Sequence, residues 1–160
     1  MSDTSAISLR TAQIIILAMI LGMLLLSALT ILLNPSTEKQ MDDEIVNILL
    51  VVLAVATLGA LGGQFVIRTV LYSDIRKRYA DKTISQGLVN DIARRLLVAT
   101  LISGALLEAC GLFGAVIYLI SSQNLALIAT GLAILVMLTL IPTQGRLAQL
   151  VTDVTGQQWP

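Results

Sequence analysis

The sequence predicts an all-α integral membrane protein, a bundle of four transmembrane helices with a short amphipathic helix at the C-terminus. Three observations lead there. Of the 160 residues, 56% are hydrophobic and 12% are charged, against about a quarter charged in soluble domains, and the mean hydropathy is +0.89. The apolar residues gather in four runs, each close to the roughly 20 residues that cross a bilayer as a helix. All but one of the 10 Lys and Arg residues fall on segments that alternate crossings place on one side. Lipid offers no partner for free backbone groups, so the spans must be helical. The alternating polarity of a transmembrane β-barrel is absent.

The first run, residues 11–33, carries no charge and is too long for a secretory signal; no small-residue cleavage site follows it. Asn34-Pro35-Ser36-Thr37 then breaks the chain, and an acidic stretch with Asp42, Asp43 and Glu44 leads on. The second run covers residues 45–71, interrupted only by Asn47, Thr57, Gln64 and Arg68. Residues 72–91 read as a polar cytoplasmic loop. Its later part has helical spacing, with Ser85 as a cap and Leu88, Val89, Ile92 and Leu96 as the apolar positions. The third helix is predicted over about residues 92–120. Ser121-Ser122-Gln123-Asn124 makes a tight connection to the fourth, residues 125–141, at the short end of spanning lengths and stopped by Pro142. In the tail, residues 145–156, Leu147, Leu150, Val151 and Val154 recur at helical spacing, which predicts an amphipathic helix on the membrane surface with Trp159 at the interface. Residues 1–160 form a single transmembrane domain.

Charge sets the orientation. With the N-terminus inside, Arg10, Arg68, Arg76, Lys77, Arg78, Lys82, Arg94, Arg95 and Arg146 all lie on the cytoplasmic side and Lys39 alone lies outside. That is the positive-inside pattern, so both termini are predicted to be cytoplasmic.

Glu108 is the one acid within the apolar runs. A charged side chain at the centre of a span costs about 2.5–3.5 kcal/mol on insertion scales, so such groups turn inward and serve function by default. At 100° per residue, Thr100, Gly104, Glu108, Gly111, Ala115 and Tyr118 share one side of the third helix, a face narrow enough for close helix packing. On the antiparallel second helix Thr57 is expected level with Glu108 and Gln64 level with Thr100. Glu108, Thr57, Gln64 and Thr100 are therefore the candidate ion-binding residues, on a polar seam between the second and third helices. Gly59 and Gly63, on the opposite side of the second helix, have the GxxxG spacing that receives another helix, either the first or fourth or one from a neighbouring subunit.

Other chemistry is scarce. The absence of His removes the usual general base and commonest metal ligand. The lone Cys110 forms no intrachain disulfide and no CxxC metal site, and reads as a small packing residue. No nucleophile–base pair stands out, so the chain is expected to be neither an enzyme nor a holder of metal or cofactor. Met19, Met23 and Met137 read as ordinary lipid- or core-facing residues. Arg76, Lys77 and Arg78 form a basic cluster suited to anionic lipid or a cytosolic partner, although a topology determinant explains it more simply. So small a loop of mixed charge does not suit nucleic acid.

The stretch Glu108-Ala109-Cys110-Gly111-Leu112-Phe113-Gly114-Ala115-Val116-Ile117 resembles the ion-binding helix of the proteolipid (c) subunits of rotary ATPases. That resemblance implies that Glu108 carries a proton or sodium ion. Over most of its length the chain resembles small bacterial four-helix membrane proteins of unassigned function. The shared features are Leu9-Arg10-Thr11-Ala12-Gln13, Ala105-Leu106-Leu107-Glu108 and Pro142-Thr143-Gln144-Gly145-Arg146. This second resemblance implies the bacterial inner (cytoplasmic) membrane. The preferred functional reading is a non-enzymatic multi-pass protein that self-associates in the lipid bilayer, with Glu108 used for packing or ion occupancy. The alternatives are a proteolipid-like ion-translocating ring or channel subunit, and an accessory subunit that docks a cytosolic partner on the basic loop.

Overall fold

A computed structural model describes residues 3–33, 42–79 and 86–155. The described residues form five helices: α1 (Asp3–Leu33), α2 (Asp43–Tyr79), α3 (Gln86–Ser121), α4 (Asn124–Leu140) and α5 (Gln144–Thr155). Three segments, Arg10–Leu33, Asp43–Ile75 and Val89–Ser121, are long and apolar enough to cross a membrane, and Asn124–Leu140 is a shorter apolar helix. Within an 18-residue apolar stretch of each, only 22% of the residues are buried in the first two and 33% in the third. Most of the apolar surface is therefore left for the surroundings to cover: Leu32 is 77% exposed, Phe65 75% and Leu58 69%. An exterior of this kind suits the interior of a membrane.

Capping chemistry sets several helix ends. The Asp42 carboxylate accepts the Glu44 amide at 3.4 Å, and Asp43 and Glu44 place negative charge in the first turn of α2, where the helix dipole favours it. α3 ends at Ser122, a non-glycine residue at φ 55°, whose amide donates to the Tyr118 carbonyl at 2.8 Å in an αL cap. α4 stops at Leu140, because Pro142 drives Ile141 out of the helical region.

The chain reverses direction at each of the first three connections. Successive positions on α3 meet ascending positions on α1 (Gly104 near Met19, Gly111 near Met23) and descending ones on α4 (Gly104 near Met137, Gly111 near Ala133, Gly114 near Ala126). On α2, Leu53 clusters with Ile117, and Ile75 with Val89 and Ile92. α3 is the central helix and packs against α1, α2 and α4.

Two elements differ from the sequence expectation. The segment 72–91, read as a loop, is mostly helix: α2 continues to Tyr79 and α3 begins at Gln86. The polar residues there change the solvent of the helix without supplying a breaker, and Arg, Lys and Leu are good helix formers. The tail forms α5 as predicted, but its apolar face is not left for the membrane surface. Leu150 and Val151 are buried against Ile75, Val89, Ile92 and Ala93, on a ledge made by the extended ends of α2 and α3. The breaker Asn34–Thr37, the cap at Ser85 and Trp159 lie outside the described residues, as do the side chains of Leu147 and Val154.

Candidate functional site

α3 turns Gly104, Gly111 and Gly114 toward α1 and α4. At Gly104 a Cβ would lie 3.6 Å from the Met19 Cε and 3.8 Å from the Met137 Cε. At Gly111 it would collide with the Met23 Sδ and come 3.4 Å from the Ala133 Cβ. At Gly114 the obstacle includes backbone, with the Ala126 carbonyl oxygen and the Thr130 Oγ1 each 2.7 Å from where a Cβ would stand. Ala115 is fully buried beside them. This closeness lets Thr130 of α4 donate its hydroxyl to the Gly111 carbonyl at 2.8 Å, a bond between helices deep in the apolar layer. The methionines are the complement of the glycines, since an unbranched thioether fills the irregular space that a missing side chain leaves. Met23 and Met137 are fully buried.

Glu108 lies one helical turn from both Gly104 and Gly111, which face Met19 and Met23 of α1 and Met137 and Ala133 of α4, and it is half-buried. It makes no hydrogen bond or ion pair among the described residues. α2 approaches α3 from another side, where Leu49, Leu50 and Leu53 pack with Phe113 and Ile117. Comparison with protein-family models, curated proteins and solved structures finds no match.

No hydrogen bond joins the four candidate ion-binding residues to one another among the described residues. Thr57 and Gln64 sit on the bundle-facing stripe of α2 that also holds Leu53 and Ala60, all buried. Because Ala60 clusters with Leu107 and Cys110, Gln64 falls level with Ser103, and Thr57 near the depth of Cys110. The Thr57 Oγ1 and the Gln64 Nε2 are buried with no partner. Thr100 is buried too, but its hydroxyl donates to the Leu96 carbonyl of its own helix at 2.7 Å. No hydrogen bond joins Thr57 to Glu108 among the described residues. The depths agree approximately, and α2 meets α3 through Ala60 with Leu107 and Cys110 and through Leu53 with Ile117. A helical wheel groups residues on a face without saying which neighbour covers it.

The two glycines of α2 take the other course. Nothing lies within 4 Å of a Cβ placed at Gly59, Gly62 or Gly63. Neither α1 nor α4 covers them, and the face stays open. Among the basic residues, Lys77 is exposed, while the side chains of Arg76 and Arg78 lie outside the described set. Nearby, Arg95 of α3 pairs with Asp74 of α2 at 3.0 Å and with Asp91 of its own helix at 3.4 Å, tying the two extended helices together. At 32% to 45% side-chain exposure such pairs contribute at most about 1 kcal/mol each.

Thr130 and Gly114 were not singled out from the sequence. The signal for them is their equal distance, in opposite directions, from the tight turn at Ser122, which places a hydroxyl opposite a missing side chain in any short antiparallel hairpin. The segments containing Gln13 and Pro142 also meet, with the Gln13 Nε2 donating to the Pro142 carbonyl at 2.7 Å. That bond ties α1 to the connection between α4 and α5.

Proposed function

We propose that this chain is a non-enzymatic protein of the bacterial cytoplasmic membrane. It crosses four times with both termini inside and associates with copies of itself through the open face of α2. The charge distribution supports the orientation: reversing it would carry Arg94, Arg95, Lys77 and the other basic residues of that end to the outer surface. The observation that carries the self-association is the empty space over Gly59, Gly62 and Gly63. A glycine in a lipid-facing helix leaves backbone uncovered, and a second helix packed there gains van der Waals contact that lipid chains supply less well. Open glycines also occur at Gly22 and Gly131, but each stands alone. Only α2 offers a pair four residues apart with a third beside it. Gly104, Gly111 and Gly114 of α3, by contrast, are packed inside the chain, so they serve the fold of one copy.

The test is the double substitution Gly59→Leu and Gly63→Leu, with mass measured in detergent and stoichiometry counted in lipid. The new side chains meet no atom of their own chain, so helicity and thermal unfolding should match the parent protein while the oligomer is lost. An oligomer that survives both substitutions overturns the proposal, as does a parent protein that is monomeric in lipid.

A second reading rests on Glu108. A half-buried carboxyl without a partner at mid-span suits reversible proton or sodium loading, the role implied by the resemblance to proteolipid subunits. Carbodiimide modification of Glu108 that slows with sodium or at high pH would support it. Modification indifferent to both would leave Glu108 a helix-packing acid.

A further inference from the structure

Between α2 and α3 the surface holds an open groove of about 780 Å³, within the size range of small-molecule sites. Its walls are apolar over most of their length: Val66 and Val70 of α2 face it with Val98 and Ile102 of α3, all of them exposed. The groove turns polar at one end. There Arg95 bridges Asp74 and Asp91, at 3.0 and 3.4 Å, and Arg94 stands beside them. Arg94 is exposed and makes no hydrogen bond or ion pair among the described residues. The same holds for Lys77, one turn beyond Asp74 on α2. Arg95 offsets one of the two carboxylates, and Arg94 and Lys77 together exceed the other, so positive charge prevails at this end. The side chains outside the described set do not reverse that balance, since residues 66–102 hold seven Lys and Arg against three Asp. An apolar trough that ends in unpaired cations matches an acyl chain headed by a phosphate.

We propose that this groove binds an anionic phospholipid. One acyl chain lies along Val66, Val70, Val98 and Ile102, and the headgroup phosphate is held by Arg94, with Lys77 adding its charge. The guanidinium fork suits phosphate oxygens, and basic sites between helices at the cytoplasmic end select anionic headgroups. The site rests on the membrane reading above, and on neither self-association nor Glu108.

The experiment is native mass spectrometry of the full chain released from detergent. It is titrated with phosphatidylglycerol and phosphatidylcholine of identical acyl chains, and with glycerol phosphate as the headgroup alone. Phosphatidylglycerol should bind saturably and roughly tenfold more tightly than phosphatidylcholine, and glycerol phosphate should not bind. Arg94→Gln combined with Lys77→Gln should bring phosphatidylglycerol down to the affinity of phosphatidylcholine. Both side chains are exposed and unpartnered among the described residues, so the fold tolerates the exchange. Arg10→Gln, at an exposed arginine of α1, should leave the preference intact, and Val98→Trp should fill the groove and weaken both lipids. Equal affinity for the two lipids overturns the proposal, as does a preference that survives the double substitution or falls as far with Arg10→Gln. Lipid binding that Val98→Trp leaves unchanged, or glycerol phosphate binding as tightly as the lipid, overturns it too. A chain that stays dispersed without detergent would overturn the membrane reading and the site together.

Discussion

Gly114→Ala is the substitution whose cost the structure defines most closely. Its new methyl would stand 2.7 Å from both the Ala126 carbonyl oxygen and the Thr130 Oγ1. Ordinary contact begins near 3.4 Å, so α4 must retreat by roughly 0.7 Å, because a helix carbonyl has no rotamer through which to escape. Overpacking of this kind costs about 1–3 kcal/mol. The same retreat stretches the 2.8 Å bond from Thr130 to the Gly111 carbonyl, and an interhelical bond within a membrane contributes about 0.6 kcal/mol on average. The gain in helix propensity from Gly to Ala offsets up to about 1 kcal/mol. A net loss of roughly 1–3 kcal/mol remains. Reversible unfolding in mixed micelles, with SDS as the denaturant, measures it. Gly59→Ala is the matched control, since its methyl meets nothing, and it should leave stability unchanged or raise it by up to about 1 kcal/mol. Equal stability of Gly114→Ala and the parent protein, or a larger loss from Gly59→Ala, would refute the close seating of α4 on α3.

Three further outcomes follow from the same packing. Ser122→Gly should stabilise by about 0.5–1 kcal/mol in the same unfolding assay, because Ser122 holds φ 55° at the end of α3 and glycine adopts that region without strain. Gln64→Leu should stabilise by about 1 kcal/mol, because it replaces a buried amide whose Nε2 has no partner with an apolar group of similar size; destabilisation of that size would mean that Gln64 bonds to something within the membrane. Leu150→Ala should cost about 2–3 kcal/mol, since Leu150 is 2% exposed, and should speed amide exchange throughout α5 while sparing α4.

The helices were legible in the sequence because their cause is local. An unbroken apolar run in lipid has helix as its one satisfied backbone conformation, and Pro142 marks the end of α4. The ends of α2 and α3 were less legible, since polar residues such as Arg76 and Asp91 signal a change of solvent and not the end of a helix. The partner of each face was the least legible. Gly104, Glu108 and Gly111 do share a side, as their spacing indicates, but the sequence does not say that α1 and α4 meet its glycines. That outcome depends on Met19 and Met23 fitting the glycines better than any side chain of α2 does. The docking of α5 was hidden for the same reason: Leu150 and Val151 form an apolar stripe that suits a membrane surface equally well, until Ile75, Val89 and Ile92 are seen to extend beyond the apolar runs as a ledge.

Self-association through α2 is tested most directly by disulfide trapping in lipid. Cys110 is first replaced by Ala, and single cysteines are then placed at Gly59, Gly63, Gly22 and Gly131, four positions where the new side chain has free space. Two copies inserted in the same orientation and related by a two-fold axis bring identical positions together. Oxidation should therefore join copies through Gly59→Cys or Gly63→Cys and leave Gly22→Cys and Gly131→Cys monomeric. Crosslinks confined to Gly22→Cys or Gly131→Cys, or none at any position, would contradict it.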